Sequence, residues 1–238
     1  MTRRPALAAL AAAVAAGAIG CSNITEQNGI AGLEIFLPNP PTVEVGQTIV
    51  LHARALDRSG NEVSAAITWI SPDPAVSLTQ DGMLTGLIGG ATARVQAQTD
   101  AIVSDFQTIN VAFRPDTLAL PGAAALTVAP GEQSSAPLVA ALFTLQGGTA
   151  QPLSGREIVY EVTSPVFADP SQRTVELAGG VLELTATTGG DGAPTPPVTL
   201  NRVAGATAPP TATVSVRAVT AAGATVPGSG QQFTITFQ

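Results

Sequence analysis

The chain has no lysine, a single cysteine (Cys21), a single histidine (His52), one tryptophan and one tyrosine, and only 11% of its 238 residues are charged. Each shortage closes a class. One cysteine cannot make an intramolecular disulfide or a cysteine metal cluster. One histidine removes both a histidine pair for zinc and a second imidazole for proton relay. Without lysine there is no Ser-x-x-Lys pair, and no Gly-x-Ser-x-Gly elbow occurs either. All ten basic residues are arginines, scattered without a stripe, and the formal charge is −7. Nucleic acid, whose binding depends on cations neutralising phosphates, is therefore excluded as a partner. The mean hydropathy of +0.32 is high, but a bilayer-spanning helix needs about 20 apolar residues. Only the N-terminus approaches such a run, so a polytopic membrane protein is excluded.

The residues present are 45% hydrophobic yet only 4% aromatic, so the apolarity comes mainly from alanine, valine and leucine. With 24 glycines and 19 prolines helix interiors are disfavoured and many short strands joined by turns are favoured. Disorder fits poorly, because disordered chains combine low hydrophobicity with high charge.

Thr2-Arg3-Arg4 is a short basic start, and Ala6 to Ile19 is an uncharged, alanine-rich run ending at Gly20-Cys21. This order has the n-region, h-region and small-residue ending of an export signal. Ala18-Ile19-Gly20-Cys21 resembles a bacterial lipobox. The resemblance implies cleavage after residue 20, a diacylglyceryl thioether on Cys21 and further acylation of its amine, palmitate being a typical chain. Two or three acyl chains anchor a soluble domain at about 0.8 kcal/mol per buried CH₂. Residues 1–20 are thus expected to be a signal peptide and 21–30 a lipidated polar tether. Ser22 lacks the aspartate that holds some lipoproteins in the inner membrane, so the outer membrane is the expected location.

Period-two alternation then begins. Ile49, Leu51, Ala53 and Ala55 share a face opposite His52 and Arg54; Ala91, Ala93, Val95 and Ala97 repeat the pattern, and Ile109, Val111 and Phe113 close it. Turn chemistry separates these runs at Asp57-Arg58-Ser59-Gly60-Asn61, Gln80-Asp81-Gly82 and Gly89-Gly90. About seven short strands in such a span fit an immunoglobulin-like sandwich of antiparallel sheets.

The series Thr42-Val43-Glu44-Val45-Gly46-Gln47-Thr48, Ile67-Thr68-Trp69-Ile70-Ser71-Pro72-Asp73-Pro74-Ala75-Val76, Asp81-Gly82-Met83-Leu84-Thr85-Gly86 and Gly89-Gly90-Ala91-Thr92-Ala93 resembles the group 2 bacterial immunoglobulin-like (Big) domain over residues 31–113. That resemblance implies a role in cell-surface adhesion or in carrying modules away from a membrane.

Arg114-Pro115-Asp116 reads as a linker. Strands are expected at Thr117–Leu120, Leu138–Leu145, Glu157–Thr163, Thr174–Leu177, Val181–Thr187, Val198–Val203, Thr211–Val219 and Gln231–Phe237. Residues 114–238 thus read as a second sandwich, and Leu142 to Val162 faintly resembles the group 1, invasin-type relatives. The expected fold class is all-β, two immunoglobulin-like antiparallel β-sandwiches in tandem after a signal peptide.

Candidate chemistry is sparse. Trp69 could stack on a sugar, but the tryptophan at this place in a sandwich is usually core, and Tyr160 has the same expected duty in the second domain. His52 lies on a polar strand face. Glu157 and Glu161 share a strand face, as solvated carboxylates commonly do. Asp57, Asn61, Asp73, Asp81 and Asp191 lie in loops where calcium ligands could converge, though turn formation accounts for them more simply. Gly228-Ser229-Gly230 is read as a turn. No catalytic residue, metal site or cofactor is expected. The leading expectation is a non-enzymatic, lipid-anchored envelope protein acting as spacer or adhesion module, with the membrane and an envelope protein or glycan as partners. Its rival is a small envelope hydrolase or glycan-processing subunit built on the C-terminal domain. A pocket with convergent carboxylates or aromatics would favour the rival.

Overall fold

The structure, a computed structural model, describes residues 29–100, 102–207 and 209–238. The expected signal peptide, Cys21 and most of the tether lie outside the described residues. Ile30, assigned to the end of that tether, is buried beside the fold, and the neighbouring Ala31 amide donates to the Leu56 carbonyl at 2.7 Å.

The N-terminal sandwich contains β1 (Gly32–Phe36), β2 (Thr42–Glu44), β3 (Thr48–Val50), β4 (His52–Leu56), β5 (Glu62–Val63), β6 (Thr68–Ile70), β7 (Val76–Leu78), β8 (Met83–Gly86), β9 (Thr92–Gln98) and β10 (Gln107–Ala112). One sheet runs β2-β10-β9-β6, and two three-stranded sheets, β1-β4-β5 and β3-β8-β7, complete the sandwich. The inward residues Ala93, Val95, Ala97, Ile109 and Val111 are all buried, the outcome of alternation when one face meets a core. Their small side chains leave volume that Trp69 fills, and it is 5% exposed. Gly82 has φ +88°, and a Cβ there would lie 2.8 Å from Trp69 Nε1 and 3.0 Å from the Leu51 carbonyl oxygen. The indole therefore needs a glycine both for backbone conformation and for space.

Two features depart from the sequence reading. The run from Ile49 to Ala55 is not one strand: it breaks at Leu51, so that β3 pairs with β8 while β4 pairs with β1 and β5. The alternation survives the break because Leu51 stays buried. Phe113 does not continue the inward face of β10. The strand ends at Ala112, and the half-buried ring packs against the core of the second sandwich.

That second sandwich contains β11 (Thr117–Ala119), β12 (Ala125–Val128), β13 (Ala141–Gln146), β14 (Thr149–Pro152), β15 (Glu157–Ser164), β16 (Val175–Leu177), β17 (Glu183–Thr187), β18 (Leu200–Arg202), β19 (Thr211–Arg217) and β20 (Gln232–Phe237). A five-stranded sheet, β12-β20-β19-β15-β17, faces β11-β13-β14 and the β16-β18 pair. Strand β20 alternates fully, with Phe233, Ile235 and Phe237 inward. Tyr160 is fully buried and its hydroxyl donates to the Leu138 carbonyl at 3.1 Å, giving the phenol the partner a buried polar group requires. Burial pushes its pKa up.

The sheets are mostly but not wholly antiparallel. In each sandwich the leading segment splits: its first part pairs antiparallel inside one sheet, β1 with β4 and β11 with β13, and its second part crosses to lie parallel to the last strand of the other sheet, β2 with β10 and β12 with β20.

Candidate functional site

The described surface carries three clefts whose linings bear on function. The first, of about 490 Å³, lies where the sandwiches meet, between Val45, Leu87 and Ile88 on one side and Leu145 and Gln146 on the other, with Phe113, Arg114 and Asp116 along its floor. Asp116 is its one carboxylate, and it is fully engaged. It accepts from the Leu145 amide at 2.8 Å and the Thr144 hydroxyl at 3.4 Å, and from Arg114 Nη2 at 2.7 Å. Burial on its own would raise the Asp116 carboxyl, but the Leu145 amide and the Arg114 guanidinium hold it below the ordinary value. A carboxylate stabilised in its charged form by three donors is a poor proton acceptor.

The second cleft, of about 300 Å³, includes Arg156, Glu157 and Arg217. The third, of about 410 Å³, is lined by Leu184 to Thr187 and the Thr195 to Val198 loop and holds no titratable side chain. None of the three joins two carboxylates.

The residues singled out from sequence are dispersed. His52 is exposed on β4, opposite Phe36 in β1. Glu157 and Glu161 both point outward on β15, and Glu161 faces Glu183, which is paired with Arg217 at 2.8 Å. The loop aspartates are engaged in separate contacts. Asp57 is held below its ordinary value first by the Asn61 side chain and then by backbone amides including that of Ser59. Asp73 takes a bidentate Arg94 at 3.0 and 2.9 Å together with the Arg94 amide at 2.8 Å, which lowers it to about 2. Asp81 contacts the Thr79 hydroxyl, and Asp191 accepts from the Ala193 amide at 3.0 Å. Among the described residues no group of three or more His, Cys, Asp or Glu side chains could hold a metal ion. The Ser229 hydroxyl is engaged by the backbone of Ala218, accepting from its amide at 3.0 Å and lying 3.2 Å from its carbonyl. Trp69 and Tyr160 sit in the two cores. The accessible aromatics are instead Phe36 at the end of β1 and Phe106 just before β10, each 46% exposed, with Arg54 and Arg94 respectively 5.4 Å from the ring centre.

Sequence reasoning missed the junction. Glu44, read only as part of a family landmark, is 2% exposed, and Arg156 lies 2.7 Å from it across the two sandwiches. Neither residue carries a pattern that pairs it with the other.

No protein-family model matches the chain, and no curated protein matches it. Among solved structures, the adhesin InvE of Yersinia pseudotuberculosis is 18% identical with a TM-score of 0.40, covering 90% of this chain and 62% of its own. The Escherichia coli adhesin FdeC is 13% identical with a TM-score of 0.43, covering 87% and 63%. Domains 4 and 5 of the S-layer protein SbsC are 20% identical with a TM-score of 0.33, covering 87% and 98%. The chain thus spans less than two thirds of either adhesin structure.

Proposed function

We propose that this chain is a lipid-anchored cell-envelope protein, held in the outer membrane through Cys21, whose two immunoglobulin-like sandwiches serve as a spacer or adhesion module without catalysing a reaction. The observation that carries this reading is how the acidic groups are used. Asp116 in the junction cleft joins linker to sheet, and Asp73 ties a loop to β9, so these carboxylates hold strands and loops in place. General acid–base work needs instead a group free to exchange a proton with a bound substrate. The anchor is supported by the lipobox-like Ala18-Ile19-Gly20-Cys21, and the adhesive role by the group 2 Big resemblance of residues 31–113, which the quoted residues alone support.

Replacing Cys21 by alanine tests the anchor. Wild-type protein is expected in the membrane fraction with incorporated labelled palmitate, and the variant in the soluble fraction without label. Membrane partitioning that survives the substitution sinks the anchor. For the module itself, immobilised full chain should retain an envelope protein or glycan without altering it; turnover of a retained glycan would favour the rival hydrolase.

A further inference from the structure

Covalently, the sandwiches are joined only by the short stretch from Phe113 to Asp116, and such neighbours move relative to one another unless their interface prevents it. Here the interface is built around one carboxylate. Both Val43 and Glu44 are buried on β2, although they point to opposite faces. The Val43 side is covered by its own core. The Glu44 side is covered by the other sandwich, where its Oε2 accepts the Ala221 amide at 2.8 Å and its Oε1 lies 2.7 Å from Arg156 Nη2. The Oε1 contact is an ion pair without good hydrogen-bond alignment. On its own side, the Glu44 amide is fixed by Gln47 Oε1 at 2.8 Å.

Arg156 is placed with equal care. Its amide donates to Thr188 Oγ1 at 3.0 Å, and that hydroxyl, itself buried, donates to the Leu153 carbonyl at 2.6 Å. Its Nη2 also donates to the Phe113 carbonyl at 2.6 Å. One guanidinium therefore holds both β2 and the chain leaving β10. The Phe113 ring covers Gly89 and Gly90, where a Cβ on Gly89 would stand 2.3 Å from Phe113 Cδ1, while also packing on the C-terminal core. Arg114 lies over Gly46, 3.4 Å from where its Cβ would be. Arg156 keeps 25% of its side chain exposed but Glu44 only 3%, so removing Arg156 would strand a buried, uncompensated carboxylate, which is far more disruptive than losing an exposed pair.

We infer that Glu44 and Arg156 form a clasp that fixes the orientation of the two sandwiches, so that the protein moves as one rigid body. This holds whether or not the chain is lipidated or adhesive.

Residual dipolar couplings on the isotope-labelled full chain test it. In the wild type, couplings from both sandwiches should fit one alignment tensor. Glu44→Ala, which removes the ion pair and the Ala221 bond, and Arg156→Gln should each require two tensors. Glu44→Gln, which keeps an acceptor for Ala221, should give an intermediate loss of common alignment, while Arg217→Gln, on the exposed pair with Glu183, should leave one tensor. Trp69 and Tyr160 are the only residues of their kinds and lie one in each core, so near-ultraviolet signals show whether each sandwich remains folded. If Glu44→Ala unfolds the N-terminal sandwich, Glu44→Gln and Arg156→Gln decide. Two tensors in the wild type would overturn the clasp, as would a single tensor in Arg156→Gln and Glu44→Gln with both cores intact.

Discussion

The two sandwiches solve the same topological problem with different materials. Both route their leading segment from one sheet to the other and close it parallel to the final strand. The N-terminal core is built from Ala75, Ala93 and Ala97, several valines and a few larger residues around one indole. The C-terminal core relies on Leu118, Leu138, Leu142, Ile158, Leu177, Leu200, Phe233 and Ile235, with Tyr160 among them. Small residues on paired strands leave room for one large indole at the centre. A core of larger residues admits a phenol only if its hydroxyl finds a partner. The topology therefore does not prescribe the packing, and the two halves should respond differently to the same kind of damage.

The largest effect is expected from emptying the cores. Phe233→Ala should destabilise the C-terminal sandwich by about 3–5 kcal/mol and Leu84→Ala the N-terminal one by about 2–5 kcal/mol. Denaturant unfolding followed by tyrosine near-ultraviolet signal in the first case and tryptophan fluorescence in the second should show each variant moving its own reporter further. Equal shifts of both reporters would erase the distinction between the cores. Next comes the phenol: Tyr160→Phe keeps the ring but leaves the Leu138 carbonyl without its donor, at a cost of about 1–3 kcal/mol, read as a lower midpoint with unchanged slope.

The third prediction concerns pH. Because Arg94 and its amide depress Asp73 to about 2, the stabilisation from this group is present above the ordinary aspartate value and is lost as pH falls through about 2. Carboxyl NMR titration should place the Asp73 midpoint there, and Arg94→Gln should move it up toward 3.8, the unperturbed value. An unmoved midpoint would show that the backbone amide alone sets it. Smallest are the exposed pairs, one in each sandwich, Arg54–Glu34 and Arg217–Glu183, whose side chains are 42% and 44%, and 48% and 55%, exposed. Glu34→Gln and Glu183→Gln should each change stability by less than about 1 kcal/mol. A larger loss for one would mark a difference that core composition does not explain.

Much of this architecture could be read from the residues. The inward Ala93, Val95 and Ala97, and the closing Phe233, Ile235 and Phe237, alternate because one sheet face meets a core, and each of the eight C-terminal segments expected as strands overlaps one. Strands β12 and β14 were not expected. Strand β14 is exposed along its whole length, and in β12 only Val128 is buried, so neither carries a hydrophobic period. The break at Leu51 was hidden because the strand changes partners without changing which side chains face inward. At the candidate site, the placement of Asp57, Asp81 and Asp191 in turns was legible from their glycine and asparagine neighbours, but the pairing of Asp73 with Arg94 on β9 was not. The setting of Glu44 was not. Its burial depends on an amide 177 positions away, and nothing in the local pattern of β2 signals that its second face will be covered.

The parallel closure of each sandwich has a mechanical consequence. Tension applied through the ends of the chain draws Thr42 and Ala112 in opposite directions along strands that run the same way, so the Thr42–Asn110, Val43–Val111 and Glu44–Ala112 pairs are strained together in shear. The Ala125–Thr234 to Val128–Phe237 pairs are strained in the same manner. An antiparallel hairpin pulled from its open end would yield one bond at a time. Each sandwich therefore carries its own clamp against stretching at the place where its first and last strands meet.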